Sequence, residues 1–175
     1  LVAFDKLRGH KSTRDILENI LYFNEPNDKR RDNITKIFSN GEYKLNITSL
    51  DFLKYNEDVL YDLQIVNPPY AKFMEIRKKN SDGEDIITYK RASKNHTLVR
   101  DFIQKSLRIC KDGGYIVYIV PNNWMSLADR NTLIKELTRY QFIWLDIGAS
   151  KKYFPKIGSS FTYFVLEKTN FNEGH

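Results

Sequence analysis

The run Asp62-Leu63-Gln64-Ile65-Val66-Asn67-Pro68-Pro69-Tyr70 ends in an amide side chain, two imino residues and a phenol ring at consecutive positions. Neither proline can donate to a β-ladder, so the apolar segment before them must stop there, and Asn67 and Tyr70 emerge at its carboxyl end. In open α/β sheets that edge is where ligands bind. A rigid turn of this composition can hold an amino group attached to a planar ring. The Asn67 side-chain oxygen and the Pro68 carbonyl accept its two hydrogens, and the Tyr70 ring stacks on the plane. Taken alone the four residues also describe a stiff turn with a surface tyrosine; the strand in front of them favours the chemical reading.

Other chemistries find little support. A lone Cys110 makes no internal disulfide, and His10, His96 and His175 are too scattered for a zinc cluster, so no metal is expected. No Cys/His or Ser/His pairing suggests a covalent nucleophile. The single cysteine points to a reducing, cytoplasmic compartment. No apolar run approaches the ~20 residues of a membrane span, and the basic, polar beginning has no signal-peptide core. A net charge of +6 suits an anionic partner such as nucleic acid without identifying one.

At 175 residues the chain has the length of one domain, expected over residues 1–170 with 171–175 as a tail. Short β-branched and aromatic runs alternate with segments of helical period, the pattern of a mostly parallel sheet covered by helices. Strands are expected at about 20–24, 44–48, 62–66, 114–120, 142–147 and 160–167. A helix between the third and fourth lines up Val99, Phe102, Ile103, Ser106, Leu107 and Cys110, with Ser93 or Asn95 as cap and Gly113 and Gly114 as stop. Further helices are expected at 129–140, at 28–38 with Asp28 as cap, and at 12–19 with Ile16, Leu17 and Ile20 on one side. Residues 74–94 show no sustained period and are expected to be a long loop. The short connection between the last two strands predicts an antiparallel hairpin.

With these elements in place, the chain resembles a family. Asn67-Pro68-Pro69-Tyr70 after an Asp-containing apolar strand looks like the catalytic motif of S-adenosylmethionine-dependent amino methyltransferases. The segment from Asp112 to Ser126, with its Gly-Gly and strand-Pro pattern, is similar to adenine-specific DNA methyltransferases of restriction-modification systems. So is Tyr153-Phe154-Pro155-Lys156-Ile157-Gly158-Ser159-Ser160 before an apolar strand. The resemblance implies a Rossmann-like methyltransferase fold with a C-terminal antiparallel hairpin. It assigns Asn67, Pro68, Pro69 and Tyr70 to the target amino group and Tyr70 and Phe154 to stacking on the extruded base. Glu25 falls where the family binds the ribose hydroxyls of the cofactor, S-adenosylmethionine. Asp51 and Phe52 fall where it holds the cofactor's adenine. On the residues alone Glu25 could be a helix-start acid, Asp51 a turn cap and Phe52 or Phe154 core aromatics.

The implied reaction is direct methyl transfer to the N6 amino nitrogen of adenine in double-stranded DNA, after base flipping. Lys72, Arg77 to Lys79, Lys90, Arg91, Lys94, Lys151, Lys152 and Lys156 fall in segments flanking such a site and could meet phosphates. The family's Gly-rich cofactor turn is not found before Glu25, where Gly9 stands isolated. The first strand is therefore expected to be missing, cofactor binding by this chain alone to be weak, and a specificity domain or subunit to lie elsewhere. The alternatives keep the chemistry on an RNA base or protein glutamine, or make the chain a non-catalytic nucleic-acid-binding module.

Overall fold

The computed structural model describes residues 9–54, 58–69, 73–79, 83–91, 97–122, 133–148, 153–155 and 160–169. They belong to two compact units, Leu1–Asn56 and Glu57–His175. In the first, a helical turn α1 (Thr13–Asp15) runs into a π-helical segment, Ile16–Ile20. Ser12 caps it, its Oγ accepting from the Asp15 N–H at 3.1 Å, and Arg14 pairs with Glu18 one turn on. Ile16 and Leu17 are buried as expected, whereas Ile20 is exposed where the chain leaves the helix.

Strands β1 (Tyr22–Asn24) and β2 (Asn46–Thr48) pair in parallel, Phe23 opposite Ile47, and α2 (Asp28–Phe38) makes the crossover between them. The cap of α2 is Asn27 rather than Asp28. Asn27 has the extended backbone a cap needs, and its side chain accepts from the Arg30 N–H at 3.0 Å. Asp28 becomes the first helical residue, where its charge still suits the helix dipole. Phe38 closes the unit against Phe23, ring centroids 5.2 Å apart.

The second unit holds β3 (Tyr61–Val66), β4 (Phe73–Lys79), β5 (Asp85–Arg91), α3 (Thr97–Ile109), β6 (Cys110–Pro121), α4 (Leu133–Leu137), β7 (Gln141–Ile147) and β8 (Phe161–Glu167). Its main sheet is mixed, in the order β3-β6-β8-β7, with β3 parallel to β6 and β8 antiparallel to both its neighbours. The C-terminal hairpin is thus present. Alternation along β6 buries Ile116, Tyr118 and Val120, and their partners Leu166, Phe164 and Thr162 on β8 share that face. Val99, Ile103 and Leu107 of α3 and Leu133 and Leu137 of α4 cover it. Two polar contacts fix α3 on the sheet: Gln64 Nε2 donates to the Ser106 carbonyl at 2.8 Å, and the Ser106 and Tyr118 hydroxyls meet at 2.7 Å.

Two expectations need correction. Cys110 is the first residue of β6 and not the last of the helix, so Gly113 and Gly114 lie inside the strand. Between the pairs Tyr61/Cys110 and Leu63/Tyr115, β6 carries extra residues in a bulge, for which Gly113 supplies a φ of 75°. Asp62 and Lys111 form an ion pair at 2.9 Å across it. The supposed loop 74–94 contains a β-hairpin, with β4 and β5 antiparallel from Phe73↔Arg91 to Lys79↔Asp85. Charged residues at the consecutive positions 77–79 and 90–91 fall on both faces and hide the strand period, and cross-strand pairing supplies what the local pattern lacks.

Of the helix expected at 129–140, residues 133–140 are described: α4 covers Leu133–Leu137, and the chain turns over 138–140 before β7. The candidate caps Ser93 and Asn95 lie outside the described residues. Among the described residues no helix is long and apolar enough to cross a membrane, and no cluster of His, Cys, Asp and Glu could hold a metal ion.

Candidate active site

In the first unit the two expected carboxylates stand at the carboxyl ends of adjacent parallel strands. The Glu25 N–H donates to the Thr48 carbonyl at 3.1 Å, continuing the β1–β2 ladder by one bond. The Asn24 amide donates to the Leu50 carbonyl at 2.9 Å, so the two loops leave the sheet tied together. Glu25 is largely sheltered. Its Oε1 accepts from the Asn27 N–H at 2.9 Å, and Oε2 lies 3.8 Å from the Arg30 guanidinium. Both oxygens keep lone pairs for a vicinal diol.

Asp51 is exposed and turns its own loop, Oδ1 accepting from the Leu53 N–H at 3.0 Å. Oδ2 has no partner among the described residues and is available to an amino group. Phe52 follows half-buried. An acid with lone pairs to spare on one strand end, with an acid and an aromatic ring on the next, is an arrangement that could accept a vicinal diol and a planar amino-bearing ring.

The second unit carries the amide and the aromatic groups. β3 ends at Val66, whose side chain packs into the core and whose partner is Tyr118. Asn67 follows, exposed; Pro68 is buried and Pro69 exposed, so the buried proline anchors the turn on which Asn67 projects. Tyr70 lies outside the described residues. One residue past the Val66/Tyr118 pair, Asn67 stands level with Ile119, whose partner on β8 is Tyr163, itself opposite Asp146 on β7. At ~4.8 Å per strand this row sets Tyr163 about 10 Å from Asn67 along the sheet.

Asp146 and Tyr163 line an open cleft of about 380 Å³ with Trp144, Tyr153 and Phe154. Four aromatic rings around one carboxylate suit a planar, hydrogen-bonding ring. Phe154 is 47% exposed and belongs to this cleft, not to the core. Trp144, Asp146 and Tyr163 carried no signal in the sequence. They converge only because the β7–β8 register brings positions 146 and 163 face to face. The Tyr163 hydroxyl is buried without a hydrogen-bond partner among the described residues.

The structure therefore brings Glu25, Asp51 and Phe52 together in one unit, and places Asn67, Pro68 and Pro69 on the same sheet as the Phe154 cleft in the other. Of the expected basic residues, Arg77, Lys78 and Lys79 lie on β4 and Lys90 and Arg91 on β5. Lys72, Lys94, Lys151, Lys152 and Lys156 lie outside the described residues. Burial raises two other groups above their ordinary values: the Tyr118 hydroxyl, opposed in part by its Ser106 hydrogen bond, and the Cys110 thiol. Both stay protonated near neutral pH and neither faces the cleft, so they serve the core.

Comparison with known proteins bears on this arrangement. Residues 4–154 match the family described as Eco57I restriction-modification methylase. Over 98 residues the chain is 32% identical to the type II methyltransferase M.TthHB8I of Thermus thermophilus, a match over 51% of this chain and 22% of that protein. The chain therefore spans about a fifth of that relative's length. Among solved structures it is similar to a candidate modification subunit of a type I restriction enzyme from Vibrio vulnificus (TM-score 0.60, 13% identity, 96% of this chain and 37% of that one). It is also similar to the N-methyltransferase NodS of Bradyrhizobium japonicum in complex with S-adenosyl-L-homocysteine (TM-score 0.50, 13% identity, 83% and 64%). At such identities the likeness is one of fold, a methyltransferase-like α/β arrangement with a mixed sheet.

Proposed function

Because this chain belongs to the Eco57I restriction-modification methylase family, we propose that it carries the amino-group-binding part of an adenine-specific DNA methyltransferase. The observation that carries the reading is Asn67 on a proline-anchored turn at the carboxyl end of β3, level with an aromatic cleft that contains Phe154. S-adenosylmethionine would supply a methyl group on a sulfonium sulfur. Glu25 would hold its ribose, and Asp51 with Phe52 its adenine. Residues 1–170 would serve as one catalytic domain in the cytoplasm.

Adenine's exocyclic nitrogen is a poor nucleophile because its lone pair is delocalised into the ring. The Asn67 side-chain oxygen and the Pro68 carbonyl would accept its two hydrogens and hold the lone pair out of conjugation. A new N–C bond forms as the S–C bond breaks, and the surplus amino proton leaves to water. Alignment and fixed acceptors carry the rate, with no covalent enzyme intermediate. Base flipping costs a few kcal/mol, offset by stacking on Tyr70 and Phe154 at about 1–3 kcal/mol per ring. Sequence specificity would come from another domain or subunit.

Radiolabelled methyl transfer by the intact protein to plasmid DNA, ribosomal RNA and a release-factor-like protein tests the reading. Label in DNA, recovered as N6-methyladenine after digestion, is the expected result. Label confined to RNA or protein overturns it.

A further inference from the structure

We propose that the β4–β5 ribbon is an arm that enters the major groove of duplex DNA beside the Asn67 turn. The proposal rests on the reading of DNA as substrate. β4 and β5 form a sheet of their own, in unbroken antiparallel register over seven residues on each strand. At ~3.3 Å per residue the ribbon is about 20 Å long. A two-stranded ribbon is marginally stable in water by itself, so one of this length gains from a surface to lie on.

The charge indicates which surface. Arg77, Lys78 and Lys79 follow one another along β4, all exposed, and alternation puts Lys78 on one face and Arg77 and Lys79 on the other. Lys90 and Arg91 stand at the opposite end on β5, opposite Met74 and Phe73. From Phe73 to Arg91 the sequence has four acidic residues, Glu75, Asp82, Glu84 and Asp85, against five basic ones; Asp82 and Glu84 belong to the connection, so the paired strands themselves carry only Glu75 and Asp85. Cations on both faces suit an environment with phosphates on two sides, as in a groove, better than a flat anionic surface.

Chain length ties the arm to the site. From Pro69 to Phe73 there are four residue steps, which span at most ~14 Å. The base of the ribbon cannot lie farther than that from the Asn67–Pro69 turn. B-DNA's major groove, about 12 Å wide, admits a two-stranded ribbon. The corresponding groove of A-form RNA is too narrow. An arm seated there would hold the duplex against the site while one base leaves the stack. Lysines on edge strands can instead serve to prevent pairing with other chains.

The test is fluorescence anisotropy of the intact protein on a short labelled DNA duplex across a salt series. The R77Q/K78Q/K79Q variant should flatten the dependence of log affinity on log salt by about 2–3 and weaken binding about 100-fold near physiological salt. K29Q/K36Q/R108Q, which removes three exposed charges elsewhere, should leave the slope unchanged. Equal losses in both variants, no loss in either, or the same ribbon-dependent slope on duplex RNA overturns the proposal. So does self-association of the ribbon variant at unchanged DNA affinity. Should circular dichroism show the triple variant misfolded, K78Q and K79Q made singly should each remove about one unit of slope. Unchanged slopes there are equally fatal. Methyl transfer to plasmid DNA by the unaltered protein judges the underlying reading separately, so an active enzyme whose ribbon variants bind DNA normally refutes the arm alone.

Discussion

In the proposed reaction Asn67 would offer the amino group an acceptor that no isosteric apolar side chain can replace. Its substitution by Ala should lower methyl transfer by about 10²–10³-fold, as for loss of one preorganised polar partner. DNA binding measured by anisotropy should persist, because Pro68 keeps the turn buried and the strand in place. Unchanged methyl transfer would remove the proposed mechanism. Tyr163 has the opposite expectation. Its hydroxyl is buried and unpartnered, so Tyr163→Phe removes a desolvated oxygen and keeps the ring. Stability should rise by about 1 kcal/mol, read from the midpoint of urea unfolding. At this scale Asn67 was legible in the sequence because two adjacent prolines force their position on any strand. The cleft's Asp146 and Tyr163 were not, because they lie seventeen positions apart and meet only through the register of β7 with β8.

Elements whose character comes from a buried face were legible. The spacing of Val99, Ile103 and Leu107 specified α3, since one helical face had to cover the sheet. The bulge at the start of β6 was hidden because a Gly pair reads equally as a helix stop and as strand irregularity. Its two glycines differ in what they tolerate. A Cβ on Gly114 would stand 2.8 Å from Cys110 Sγ, 2.9 Å from the Lys111 carbonyl and 3.1 Å from the Asp62 carbonyl. Gly113 has open space but a φ of 75°. Gly114→Ala should therefore cost about 1–3 kcal/mol through overpacking against backbone, and Gly113→Ala about 1 kcal/mol through backbone strain alone. Thermal unfolding of the two variants side by side checks the order. The β4–β5 hairpin was illegible for a different reason: with charges spread over both faces it has no buried side to impose a period.

For the molecule as a whole, the burial of two ionisable groups inside the second unit predicts an alkaline limit to stability. Burial raises the Cys110 thiol above 9.0 and the Tyr118 hydroxyl above 10.0, so above those values the unfolded chain releases protons that the native state retains. Stability from these two groups is complete below about pH 9 and declines as pH rises further. Urea midpoints at pH 8, 9 and 10 should be level across the first interval and fall across the second. The Tyr118→Phe variant should show a shallower fall.

The sequence by itself determined the elements that bury a face and the presence of a proline-anchored amide at a strand end, because those follow from local periodicity and from what proline cannot do. It also carried enough of the motif pattern for the family to be recognised before any geometry was known. Tertiary structure alone decided the β3-β6-β8-β7 order, the aromatic cleft, the pairing of residues 73–79 with 85–91 and the place of Cys110 in a strand. Each of these depends on which distant residues come to lie side by side. That choice is made by the summed burial and pairing of the folded chain, to which no short window of sequence has access.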